Sequence, residues 1–154
     1  GYSTEQLISD DELGLLAGLK LQPITKKAPV ISWASLKDIL EGTFSMDESY
    51  QWVGCPHDIS DNAFALEVQN DVMTANNGRS YPKGTLIFID QTKQSKTGDR
   101  VIAIDKETME SVFREYVVDG GVKYLKPLNT AYPIQKFNDN THVIGVIVGS
   151  YIAE

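Results

Sequence analysis

From Pro29 to the end of the chain, short apolar runs rich in β-branched and aromatic residues follow one another, divided by Gly, Asn, Asp and Pro. This texture restricts the chain to a fold built mostly of strands. Side chains of these kinds fit a pleated, half-buried surface, and the dividing residues supply turns. The candidate strands are VISW, AFALEVQ, TLIFID, RVIAID, SVFREYVV, VKYLKPL and HVIGVIVGSYI. In VVDGGVKY, Asp119, Gly120 and Gly121 can take the positive φ values that a tight hairpin demands, so the strands on either side pair antiparallel. SLKDILEG, between the first strands, forms either a short helix or a loop. The last run, His142 to Ile152, is apolar for longer than one buried face requires. It is either a central strand covered on both faces or a strand whose surplus meets a second copy, with Val146, Val148 and Tyr151 as the contact residues.

Residues 1–27 read differently, as an interdomain linker. Ser9 as N-cap, Glu12 closing a capping box and Ile8 stapling onto Leu13 start a short helix, which Gly14 and Gly18 weaken and Pro23 ends. ITKKAP then reads as a flexible connection into the domain over 28–154. The 154 residues suffice for one well-buried domain and are few for two. The chain begins with Gly rather than Met, as a processed or recombinant fragment would.

The apolar share of 42% and charged share of 23% are those of an ordinary globular protein, and no apolar run approaches a membrane span. A net charge of −7 argues against a grip on a phosphate backbone by this chain itself. The start has no secretory pattern, and the one cysteine, Cys55, excludes an internal disulfide, which together place the chain in a reducing cytoplasm. Cys55, His57 and His142 lack any recognised zinc spacing and read as loop chemistry. No phosphate loop, dinucleotide fingerprint or clustered acid pair implies a cofactor or small ligand, so no cofactor or metal is expected.

PVISW, FALEVQNDVMT, YPKGTLIFID, GDRVIAI and YLKPLNTAYP stand in the order found in the C-terminal domains of LexA and lambda-type CI phage repressors, which this sequence resembles from about Pro29 to its end. PLNTAYP in particular is similar to the CI-type branch. The resemblance implies a LexA/signal-peptidase-like domain, mostly β, of antiparallel strands with small helical additions. Members carry an N-terminal helix-turn-helix, absent from this chain, and a C-terminal domain that dimerises and is usually a latent serine–lysine autoprotease.

Three requirements of that chemistry are altered here. The family's nucleophile precedes a methionine, and Val72 occupies that place before Met73. An isopropyl group has no lone pair with which to form an acyl intermediate. The family's general base is a neutral lysine, and FREY puts Arg114 at its position. A guanidinium has no free-base form near neutral pH. The scissile pair is commonly Ala-Gly, and alignment on PVISW puts Leu36 and Lys37 there. Asn70 stands where glycine is common, as the residue that best tolerates left-handed geometry after glycine. Arg114 is expected in the former cleft, bonded to carbonyls or to a carboxylate such as Asp71.

Ser80 with Lys83 and Ser111 with Lys106 have no spacing that supports a replacement dyad, and Tyr81, Tyr132 and Trp33 read as packing residues. The resemblance thus implies the dimerisation and regulatory domain of a prophage repressor that maintains lysogeny in a bacterial host. It would not cleave itself, would meet operator DNA only through the missing domain, and would be inactivated by a binding antirepressor. The competing reading is an active LexA, CI or UmuD-like peptidase with an engineered substitution at Val72.

Overall fold

A computed structural model of the chain describes residues 26–46, 50–55 and 58–152. The helix start at Ser9, most of the linker and His57 lie outside the described residues. Among the described residues nine strands form one sheet: β1 (Lys26–Val30), β2 (Gln51–Cys55), β3 (Phe64–Glu67), β4 (Leu86–Asp90), β5 (Arg100–Asp105), β6 (Ser111–Asp119), β7 (Val122–Lys126), β8 (Gln135–Lys136) and β9 (Thr141–Tyr151). Their order across the sheet is β2-β1-β3-β4-β9-β5-β6-β7-β8. A 3-10 turn at Trp33–Ser35 leads into one short helix, α1 (Leu36–Glu41). The chain is mostly β, as its sequence texture implies.

Six of the seven sequence runs become strands, with differences at the ends, whereas VISW gives only Val30 to β1 and then turns away, with Trp33 opening a 3-10 turn. Pairing is antiparallel except between β1 and β3, where Val30 lies beside Ala65 in parallel. ITKKAP is not a flexible connection throughout, since Lys26–Pro29 belong to β1, where Ala28 is fully buried and each residue faces one of β2. β2 and β8 were not among the expected strands. Both lie at sheet edges, and their residues are largely exposed, so no apolar alternation marks them. SLKDILEG resolves into α1, which ends on Gly42 in the left-handed conformation (φ 75°). The hairpin at Gly120 and Gly121 has φ of 59° and 79°, with Asp119 opposite Val122. Two successive positive values match the twist of the flanking strands.

Strand β9 stands in the middle of the sheet, bonded to β4 on one side and β5 on the other. Its register slips twice. Val148 falls between the partners of Phe88 and Ile89, and Ile144 between those of Ile102 and Ala103, so each is a bulge residue on β9. One face of the sheet carries the largest core cluster, with Phe64, Leu66, Ile87, Ile89, Ile102, Ile104, Phe113 and Ile144, capped by Leu36, Met73 and Tyr81. Tyr81 meets Phe113 edge-on with ring centroids 5.0 Å apart. On the opposite face, Ala28, Cys55, Ala65 and Phe88 form one cluster and Val101, Ala103, Tyr116, Leu125 and Val146 another. The alternation in RVIAID therefore feeds two cores, which is why the run is apolar without interruption. Val146 retains 7% of its exposure and is consumed by this packing, whereas Tyr151 keeps 61%.

Two features at the β4–β9 seam carry testable consequences. A Cβ on Gly145 would lie 2.5 Å from Ile89 Cγ2 and 2.9 Å from the Asp90 carbonyl oxygen. Gly145→Ala is expected to cost about 1–3 kcal/mol in a urea titration through overpacking against backbone. The buried Asp90 carboxylate accepts from Ser60 N (3.2 Å), Ser60 Oγ (2.9 Å), Thr92 N (2.9 Å) and Thr92 Oγ1 (2.7 Å). Burial opposes its ionisation, but the bonds from Thr92 and Ser60 outweigh it and hold its pKa below the usual 3.8. A depressed folded pKa stabilises above the unfolded value and is lost as pH falls through the folded one. Asp90→Asn should cost about 1–3 kcal/mol at neutral pH and flatten the acid limb of the stability profile below pH 3.8. An unchanged acid limb would contradict this role.

Candidate functional site

Beyond β3 the chain leaves the ladder through Val68, whose N–H donates to the Thr85 carbonyl (2.8 Å), and enters the turn that holds Val72. Asn70 shapes this turn by a route the sequence did not indicate. Its φ is not positive; its side-chain Oδ1 accepts from Val72 N–H (3.2 Å), an Asx turn in place of a left-handed residue. Thr74 N–H then donates to the Asp71 carbonyl (3.1 Å) and Tyr81 N–H to the Met73 carbonyl (2.8 Å). Met73 is 1% exposed and anchors the turn in the main core, and Val72 is itself buried.

A second segment clamps this turn from across the fold. Asn129 N–H donates to the Val72 carbonyl (2.9 Å), Asn129 Nδ2 to the Asp71 carbonyl (3.1 Å) and Tyr132 hydroxyl to Asp71 Oδ1 (2.6 Å). Asn129 is rigid in its own right, because its Oδ1 accepts from Ala131 N–H (3.0 Å) and its carbonyl from Tyr132 N–H (3.1 Å). PLNTAYP is thus a clamp on the turn, and Tyr132 is an exposed hydrogen-bond donor rather than a packing residue.

Arg114 lies on β6 opposite Val101 and lines a cleft of about 210 Å³ with Trp33, Val68, Gln69, Asn70, Ser111, Val112 and Phe113. The structure therefore brings the Asn70 turn and Arg114 to one place. Trp33 walls the cleft, held by its indole N–H on the Glu67 carbonyl (2.8 Å). Arg114 Nη1 donates to the Phe113 carbonyl (2.7 Å), while Nε is buried without a partner. Asp71 spends one carboxylate oxygen on Tyr132, and among the described residues the ion pairs are Lys26–Asp58 and Lys96–Asp99, neither involving Arg114. Burial lowers the guanidinium pKa, with the Tyr132 side chain acting in the opposite sense. The group stays protonated all the same.

Leu36 and Lys37 are not in this cleft. They form the first turn of α1, with Leu36 fully buried in the main core and Lys37 exposed. Of the dismissed dyads, Ser80 Oγ accepts from Ala75 N–H (2.9 Å), and Ser111 lines the cleft while Lys106 is exposed. Cys55 closes the edge strand β2 and His142 sits opposite Ile104 near the middle of the sheet.

The Tyr132–Asp71 bond has a measurable signature. The hydrogen bond to Asp71, then the Asp71 charge, then burial raise the Tyr132 pKa above the usual 10.0, and Arg114 opposes them. A raised folded pKa contributes stability below the unfolded value and loses it as pH rises through the folded one. In an ultraviolet titration Tyr132 should ionise later than 10.0, and Tyr132→Phe should reduce the late phase by one tyrosine. A late phase of unchanged amplitude in the variant would assign it elsewhere.

The sequence has relatives. Residues 28–148 match the Peptidase S24-like family. The chain is 36% identical over 127 residues to repressor protein C2 of Salmonella phage P22, a match that covers 81% of this chain and 59% of that protein. It is 35% identical over 144 residues to the HTH-type transcriptional regulator for conjugative element SXT of Vibrio cholerae, covering 90% of this chain and 66% of the regulator. With prophage repressor CohE of Escherichia coli strain K12 it shares 33% over 129 residues, 79% of this chain and 54% of that one. The chain thus spans between 54% and 66% of the length of these relatives. It belongs to the Peptidase S24-like family.

Proposed function

We propose that this chain is the C-terminal dimerisation and regulatory domain of a prophage transcriptional repressor that does not cleave itself and is released from its operator by a binding antirepressor protein. The family match and the repressor names of the relatives support the role. The observation that carries the loss of cleavage is Arg114 in the cleft beside the Asn70 turn. Self-cleavage by a serine–lysine pair needs a hydroxyl that attacks a carbonyl and a neutral amine that takes its proton. Val72 offers no hydroxyl, and Arg114 holds its proton permanently. The Leu36–Lys37 peptide lies in a helical turn with Leu36 buried, so its exposure to attack would require α1 to unwind.

Without cleavage, control passes to association. A domain that holds two copies together lets the DNA-binding parts of the whole repressor engage paired half-sites, raising affinity through effective concentration. With a net charge of −7, this domain adds no phosphate grip of its own. The end of β9 favours a self-contact: Tyr151 (61%) and Ile152 (54%) are exposed, and Val30, Val53, Leu86, Phe88 and Tyr151 border a shallow apolar hollow on the same face as half-buried Val148. An antirepressor that alters the spacing of the two copies would release DNA without a broken bond.

The alternative, an active peptidase with an engineered change at Val72, has Arg114 against it, because a single engineered change would leave the base in place. Incubation at neutral and strongly alkaline pH, with and without recombinase filaments on single-stranded DNA, should leave the intact mass unchanged, and Val72→Ser should behave the same for want of a base. Two fragments meeting near Leu36–Lys37 would overturn the proposal. For the self-contact, Val148→Asp with Tyr151→Asp should weaken association about tenfold or more in sedimentation equilibrium, as expected for an apolar and aromatic contact centre. An unchanged constant would place the interface elsewhere.

A further inference from the structure

We propose that the Arg114 cleft is a carboxylate-recognition site that accepts an acidic side chain of a partner protein. Its size sets the ligand class. A volume of about 210 Å³ falls below the range of cofactor and drug-sized pockets and suits a single side chain. Its walls set the chemistry. Trp33 and Val68 offer apolar surface to the methylenes of a long side chain, and Gln69, Asn70 and Ser111 offer polar groups around the guanidinium.

The guanidinium is electrostatically incomplete. It has five donors in a planar fork; Nη1 is used by the Phe113 carbonyl, Nε is buried and unpartnered, and among the described residues it forms no ion pair. Asp71, the carboxylate that the sequence offered as its partner, is bonded to Tyr132 and is not among the residues that line the cleft. The guanidinium is half-buried and has no ion-pair partner among the described residues, so a carboxylate that meets its fork adds charge-assisted bonds that it otherwise lacks. A protein carboxylate rather than a nucleic acid is the proposed anion, since a cleft sized for one side chain and lined by a single cation, Arg114, lacks the clustered basic groups that grip a phosphate polymer.

This site exists whether or not the chain cleaves itself; only the identification of the partner with the antirepressor rests on the function proposed above. The two failures are therefore separable, because mass reports on cleavage and the following titration reports on the cleft. N-acetylglutamic acid α-amide, which keeps only the side-chain carboxylate, is titrated into isotopically labelled protein and followed by NMR. The expected result is saturable shifts of the Trp33 indole N–H, the Gln69 and Asn70 amides and the Arg114 Nε–H. N-acetylglutamine α-amide should bind about tenfold more weakly, the loss expected when a charge-assisted bond becomes neutral. Arg114→Met should abolish the shifts with the rest of the spectrum unchanged, and Arg114→Lys, which keeps the charge without the fork, should weaken them while folding as the parent does. Absence of localised shifts, equal binding of the glutamine analogue, or shifts retained in both variants would overturn the proposal. So would inorganic phosphate producing the same shifts at lower concentration, which would make the cleft a general anion site.

Discussion

Strand β9 hydrogen-bonds to β4 along one side and to β5 along the other, and so joins two groups of strands, β2-β1-β3-β4 and β5-β6-β7-β8, into one sheet. Gly145 lets it pass close to Ile89 and Asp90, and bulges at Ile144 and Val148 adjust its register to each neighbour. Everything at the candidate site depends on this junction. The turn bearing Val72 leaves the first group, whereas Arg114 and the clamp of Asn129 and Tyr132 come from the second. The cleft is therefore a seam between the halves, and its geometry is inherited from a central strand that contributes none of its lining residues.

This arrangement explains which parts of the molecule could be read from sequence. RVIAID and HVIGVIVGSYI announced themselves because strands covered on both faces must be continuously apolar. β2 and β8 gave no such signal, being short and largely exposed. Motif order singles out Val72 and Arg114 in the sequence. It does not show their surroundings: the clamp joins residues 58 and 61 apart, and the role of Trp33 as a cleft wall follows from its bond to Glu67, 34 positions away. Asn70 illustrates a subtler limit. A preference for asparagine can arise from left-handed backbone or from side-chain capping, and only the structure distinguishes the second.

A lysine and an arginine give such a cleft different chemistry. A lysine in a half-buried cleft can lose its proton and serve as a base; an arginine in the same place keeps a charge and a fork of donors. The proposed reading is that a site for proton transfer has become a site for recognition, with the clamp still holding the turn although no nucleophile stands on it.

The central claim is that release from DNA proceeds by binding and not by proteolysis. The most direct measurement is the intact mass of the whole repressor recovered from bacterial cells carrying the prophage, after DNA damage has derepressed its operator. The account predicts one full-length species held in complex with a second protein. Two fragments whose masses sum to the full chain, appearing together with derepression, would contradict it.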